Sequence, residues 1–183
     1  MPMSDVHRAA VDSMEKTAPR NTPLLPESLG VQQIQTRERK GVILLVEDDR
    51  GDQLLTQEAL RDSGRPKQVF VVSDGEEALR YLRRRGNYEN PSRSPRPDLV
   101  LLDLNMPRVN GRKVAMQAKA DPDLKFIPIV VLSTSDYPED IRYCYEVGVN
   151  SYVHKPTNFD DFVRAVGEIE RYWLQVVEPP PEA

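Results

Sequence analysis

The stretch Leu99-Val100-Leu101-Leu102-Asp103-Leu104-Asn105 sets four large apolar side chains in a row directly before a carboxylate. An unbroken apolar run of this length marks a strand covered on both faces, because a strand with one wet face would alternate apolar and polar residues. Cover on both faces requires a layer of helices on each side, so the neighbours of this run decide the fold. Outward along the chain lie further short apolar runs at 42–46, 68–72, 127–132 and 151–153, rich in β-branched residues. Between and after them, the stretches 52–62, 75–84, 111–120, 138–147 and 159–173 carry apolar residues three or four apart, the spacing of an amphipathic helix. Leu54, Leu55, Ala59 and Leu60 form the apolar face of the first helix; Phe162, Val163, Val166, Ile169 and Trp173 form that of the last. Strand and helix in strict alternation predict a three-layer α/β domain with a parallel sheet in the middle.

The totals agree with one such domain. A chain of 183 residues, 39% hydrophobic and 30% charged, can bury one good core. Its net charge of -4 gives no general attraction to DNA or to anionic lipid. No run approaches the roughly 18 apolar residues of a membrane span, and the first ten residues lack the apolar centre of a signal peptide, so a cytoplasmic protein is expected. The single cysteine, Cys144, excludes an internal disulfide and a multi-cysteine metal site, and its place between Tyr143 and Tyr145 reads as a packing position on a helix. Residues 1–40, with four prolines, 6 basic and 5 acidic side chains, read as a flexible N-terminal extension in which Ser4 is able to cap a short helix. The globular domain is expected over 41–174, with a proline- and glutamate-rich tail over 175–183. Between the second helix and the third strand, 85–97 holds three prolines, a glycine and three arginines and reads as a long loop, either a solvated insertion or a partner contact.

In open parallel sheets, sites form beyond the carboxyl ends of the strands. The first strand ends in Glu47-Asp48-Asp49, the third in Asp103-Leu104-Asn105, the fourth in Ser133-Thr134 and the fifth in His154-Lys155-Pro156. An Asp-Asp pair alone is ordinarily a helix cap, and a lone Lys-Pro a turn; it is their joint placement that is specific. Carboxylates gathered without compensation raise one another's pKa, so such a cluster calls for a cation, and all-oxygen ligands select a hard one such as Mg²⁺. Calcium is disfavoured because the spacing of an EF-hand loop is absent.

The strings Leu44-Leu45-Val46-Glu47-Asp48-Asp49, Leu101-Leu102-Asp103-Leu104-Asn105-Met106-Pro107 with Asn110-Gly111, Leu132-Ser133-Thr134-Ser135 and Ser151-Tyr152-Val153-His154-Lys155-Pro156 resemble the receiver domain of bacterial two-component response regulators. The resemblance implies a flavodoxin-like, doubly wound five-stranded sheet of order 2-1-3-4-5 with helices on both faces. It further implies Asp103 as phosphoacceptor, and Mg²⁺ held by Glu47, Asp48, Asp103 and the main-chain carbonyl of Asn105. Ser133, Thr134 and Lys155 would bind phosphoryl oxygens. Ser133 and Tyr152 would act as the switch, the ring turning inward as the hydroxyl moves toward the phosphate, and the Lys155-Pro156 bond would be cis. A phosphatase of the haloacid dehalogenase type is a rival reading, but it needs a second Asp where this chain has Asn105. A receiver-fold interaction module that never takes phosphate is the other.

Only ten residues follow Trp173, too few for an output domain, so a single-domain regulator is expected. The resemblance implies a sensor histidine kinase upstream and a downstream protein or phosphotransfer histidine. The crowd of Tyr137, Tyr143, Tyr145, Phe159, Phe162, Tyr172 and Trp173 on and around the fourth and fifth helices suggests a homodimer through that face. The long loop before Asp98, Ser135 after Thr134, and the late Tyr172-Trp173 resemble the regulators paired with bacterial and cyanobacterial phytochromes, which implies a red-light-sensing kinase as partner.

Overall fold

The computed structural model describes residues 40–179; the expectations for 1–39 and 180–183 lie outside the described residues. Each apolar run forms a strand: β1 Gly41–Val46, β2 Lys67–Val72, β3 Leu99–Leu102, β4 Ile129–Ser133 and β5 Ser151–His154. The helices α1 Arg50–Asp62, α2 Gly75–Leu82, α3 Gly111–Ala120, α4 Pro138–Glu146 and α5 Phe159–Arg171 alternate with them. All pairings are parallel and the order is β2-β1-β3-β4-β5, the flavodoxin-like arrangement.

The pleat divides the strand side chains between two cores. Leu44, Val46, Val100, Leu102, Ile129 and Val131 face α2, α3 and α4, while Ile43, Leu45, Leu99, Leu101, Val130 and Leu132 face α1 and α5. Full burial of such side chains contributes about 1.5–3 kcal/mol each, and this two-sided cover is why the runs are continuous. Cys144 is fully buried in the first core, as its flanks suggested, and burial pushes its thiol up to about 11.

Boundaries shift where local chemistry intervenes. β4 begins at Ile129 rather than 127, after Pro128, which has no N–H for a ladder. α1 starts early because the Asp49 carboxylate accepts from Asp52 N at 2.9 Å, and α2 stops at Leu82 as Arg84 turns to φ 50°. α5 runs on into a π-helical turn, Tyr172–Val176, two residues past the expected end of the domain.

The loop after α2 is packed. Its short 3₁₀ turn, Gly86–Tyr88, lays the Tyr88 ring 5.1 Å from that of Tyr81, the Tyr88 hydroxyl donates to Glu77, and the Tyr81 hydroxyl donates to Pro95 O at 3.0 Å. At the amino-terminal edge of the sheet, Glu170 is 1% exposed beside Lys67 Nζ at 3.1 Å and Arg65 at 3.6 Å. No helix among the described residues is long and apolar enough to cross a membrane.

Candidate functional site

Sheet register builds the site. β1 and β3 pair with Val46 opposite Leu102, so Glu47 and Asp103 emerge side by side one residue further on, fixed by Asp103 N donating to Val46 O at 2.9 Å. Oxygens of Glu47, Asp48 and Asp103 all lie within 4.8 Å of one another; Glu47 and Asp103 are buried and Asp48 is exposed. Gln53, buried on α1, donates to the Glu47 carbonyl at 2.7 Å, and Asp49 N donates to the Glu47 carboxylate at 3.2 Å. Asn105 N donates to Asp103 Oδ2 at 3.0 Å. The return of the chain into α3 is just as tight. A Cβ on Gly111 would lie 2.0 Å from the Asp103 carbonyl oxygen, so only glycine lets α3 start here.

Lys155 crosses from β5 with its N–H donating to Ser133 O at 2.8 Å. Its buried ammonium donates to Glu47 at 2.6 Å and to Asp52 at 2.7 Å, and lies 3.6 Å from Asp103. The Lys155-Pro156 bond, expected to be cis, is trans, as are all peptide bonds among the described residues. The trans form is intrinsically favoured by about 0.5–1 kcal/mol before proline, and Lys155 reaches the carboxylates from it without help.

One ammonium faces four carboxylates here, and the imbalance shows. Burial, partly offset by Lys155, raises the Glu47 and Asp103 carboxyls above their ordinary values. Burial would lower the Lys155 ammonium, but hydrogen bonds to Asp52 and Glu47 and the charge of Asp103 outweigh it and raise the group. An all-oxygen donor set with surplus negative charge fits a hard divalent cation.

Ser133 is fully buried at the end of β4, its Oγ accepting from Ser135 N at 3.2 Å and from Asn105 Nδ2 at 3.5 Å. Thr134 is exposed. The half-buried Tyr152 ring packs against the core under α3 and α4, and its hydroxyl donates to Ser135 O at 2.8 Å. The strand-end reading thus finds Glu47, Asp48, Asp103, Ser133 and Lys155 assembled at one edge. It misses Asp52, which the sequence signals only by lying one helical turn beyond Asp48. It reads Ser135, with Asn105, only as a position flanking the site that would tune the phosphoryl lifetime, whereas the residue touches both Ser133 and Tyr152.

A family model for the response regulator receiver domain matches residues 43–167. The chain belongs to the response-regulator receiver family. It is 45% identical over 139 residues to response regulator Rcp1 of Synechocystis sp., covering 76% of this chain and 92% of that one. It is also 43% identical over 133 residues to a probable methanogenesis regulatory protein, FilR2, of Methanothrix harundinacea, covering 73% and 83%. Among solved structures, the phosphorylated cyanobacterial phytochrome response regulator RcpA superposes with a TM-score of 0.74 at 45% identity, over 78% of this chain and 100% of that one. The Mn²⁺-bound form of Rcp1 gives a TM-score of 0.71 at 44% identity, over 77% and 99%. The receiver fold is therefore shared with a cyanobacterial phytochrome response regulator.

Proposed function

We propose that this receiver takes a phosphoryl group from a sensor histidine kinase onto Asp103, with Mg²⁺ held by Glu47, Asp48, Asp103 and the main-chain carbonyl of Asn105. The observation that carries the reading is the meeting of Glu47, Asp48 and Asp103 within 4.8 Å beside the Lys155 ammonium. In-line transfer demands positioning and charge neutralisation rather than covalent help from the protein. An Asp103 carboxylate oxygen attacks phosphorus; the O–P bond forms as the P–N bond to the kinase imidazole breaks, and the electron pair leaves on that nitrogen. Lys155 and the Ser133 hydroxyl bind phosphoryl oxygens, with Thr134 at the rim, and bound Mg²⁺ supplies the remaining neutralisation of charge. The Rcp1 structure holds Mn²⁺, another hard divalent ion, which supports the metal class.

The receiver unit is proposed over 41–174, with an extension over 1–40 and a remainder over 175–183 into which the last helical turn continues as far as Val176. Signalling passes from Ser133 and Tyr152 to the face of α4, β5 and α5, by homodimerisation or partner docking. Tyr137, Tyr145 and Phe159 are 66%, 53% and 50% exposed there, while Phe162 packs inward. The likeness to Rcp1 and RcpA supports a phytochrome kinase as donor and a cytoplasmic setting. The test is transfer from a ³²P-labelled phytochrome histidine kinase, followed by light scattering. Mg²⁺-dependent label on this chain and a rise in mass are expected. Absence of transfer from any such kinase and from acetyl phosphate would return the chain to a phosphate-independent interaction module.

A further inference from the structure

Ser135 is tied on its N–H, its carbonyl and its hydroxyl at this edge of the sheet. Its N–H donates to Ser133 Oγ at 3.2 Å, its carbonyl accepts from the Tyr152 hydroxyl at 2.8 Å, and its own hydroxyl donates to Asp140 Oδ2 at 2.6 Å. Tyr137 N donates back to that hydroxyl at 3.4 Å. Asp140, on the first turn of α4, is itself bound by the Arg112 guanidinium from α3. Arg112 directly follows Gly111, whose backbone is wedged against the Asp103 carbonyl. The contacts close a ring: Asp103, the start of α3, Arg112, Asp140, Ser135, Ser133, and across to Asn105 beside Asp103.

From this ring we infer that the Arg112–Asp140 pair is a latch that fixes Ser135, so that a change at Ser133 is delivered to Tyr152 and α4 together. Arg112 and Asp140 are positioning residues; neither is among the oxygens gathered around Asp103. The inference rests on the phosphoacceptor reading above and adds the part that carries the signal out of the pocket. Two features make the pair suited to the role. The Asp140 side chain is only 12% exposed, so its charge-assisted bond to Ser135 is shielded from water, while Arg112, 36% exposed, closes the pair from the solvent side. The Ser135 hydroxyl and, behind it, Arg112 hold the Asp140 carboxyl below the usual carboxylate range, against the upward pull of burial, so the anion persists at neutral pH. A loop pinned in this way meets a phosphoryl group already ordered, whereas an unpinned loop would lose conformational freedom on binding.

The test uses the full chain with Mg²⁺ and beryllofluoride as phosphoryl mimic, reading mimic affinity, the Tyr152 ring signals and the α4 amide signals by NMR. Wild type is expected to bind and to shift both sets. Asp140→Ala and Arg112→Ala should weaken mimic binding roughly ten-fold, the scale of a lost charge-assisted hydrogen bond, and should lose the α4 response. The double variant should be no worse than either single one. Ser135→Thr, which keeps the hydroxyl, should retain the response and Ser135→Ala should lose it. A merely structural pair would lower thermal stability while leaving affinity and response intact, and that result overturns the latch. Should Asp140→Ala not fold, Asp140→Asn keeps an acceptor for Ser135 and loses only the ion pair with Arg112, and an unchanged α4 response there overturns it equally. A wild-type chain that does not bind the mimic refutes the phosphoacceptor reading beneath it, and the latch falls with it.

Discussion

At the carboxyl ends of β1 and β3, Glu47, Asp48 and Asp103 crowd together, and Glu47 and Asp103 share one buried ammonium, that of Lys155, with Asp52. At the opposite end of the same sheet the ratio is reversed: one buried carboxylate, Glu170, lies between two cations, Lys67 and Arg65. Lys67 is itself satisfied there, donating to Leu60 O and Ser63 Oγ. Both ends bury charge, which is expensive unless compensated. At the Glu170 end the buried carboxylate is offset by cations of the chain itself, through ion pairs rather than hydrogen bonds, and ties α1, β2 and α5 together. The Asp103 end is left with surplus negative charge, and so retains affinity for groups the chain does not supply. A chain that compensates its buried charge at one end of the sheet and not at the other keeps the second end suited to an external cation.

Perturbing each end should therefore have different consequences. The largest loss of stability is expected from Glu170→Ala, which strands Lys67 in the interior and should cost about 3–5 kcal/mol, read by urea unfolding, with no dependence on Mg²⁺. Lys155→Ala should cost less, about 1.5–3 kcal/mol, the scale of lost hydrogen bonds to a charged group, because Asp103 and Glu47 can escape by protonation. Unlike the Glu170 variant, it should recover much of its unfolding midpoint when Mg²⁺ is added. A variant at Lys155 that ignores Mg²⁺ would erase the distinction between the two ends.

Titration sharpens the same contrast. Folding raises the Asp103 and Glu47 carboxyls, so the folded chain holds more protons than the unfolded one above the ordinary carboxylate values near 4. Stability without metal should thus fall as pH rises through that window and up to the raised values, by an amount that Mg²⁺ suppresses. Unfolding curves at successive pH values, with and without Mg²⁺, check the sign. The smallest effect belongs to Asp52→Asn. Its carboxylate is partly exposed, so stability should move by only about 1 kcal/mol or less. The freed Lys155 should nonetheless bind the phosphoryl group more tightly, lengthening the phosphoryl lifetime on Asp103.

Much of this organisation is legible in the sequence because the sheet is buried on both faces. A two-sided strand must be continuously apolar, and the residue after such a run is placed at the sheet edge with little freedom, which is why Glu47, Asp103, Ser133 and Lys155 were found. What escapes depends on helix phase and on approaches between distant segments. Asp52 meets Lys155 across 103 residues, and Arg112 meets Asp140 across 28, with no local pattern to announce either. Glu170, next to Arg171 on an amphipathic helix, reads as solvated until Lys67 is seen to reach it. The loop over 85–97 reads as open because its prolines and arginines hide what orders it, the tilted packing of Tyr88 on Tyr81 and the bonds of their hydroxyls to Glu77 and Pro95 O. The trans bond at Pro156 departs from the resemblance, and nothing in the residues around it signalled the isomer.

Asp103 is proposed to take a phosphoryl group once a cation offsets the surplus negative charge around it, a transfer that can be followed directly. Its most direct test is intact mass after exposure to acetyl phosphate, in wild type and Asp103→Asn, with and without Mg²⁺. The account predicts a single phosphoryl adduct in wild type with Mg²⁺ and none in the variant, which should also unfold about 2–4 °C higher without metal, the shift of about 1 kcal/mol in a chain of this size, because a buried charge is gone. An adduct that persists in Asp103→Asn, or one that forms equally well without Mg²⁺, would contradict it.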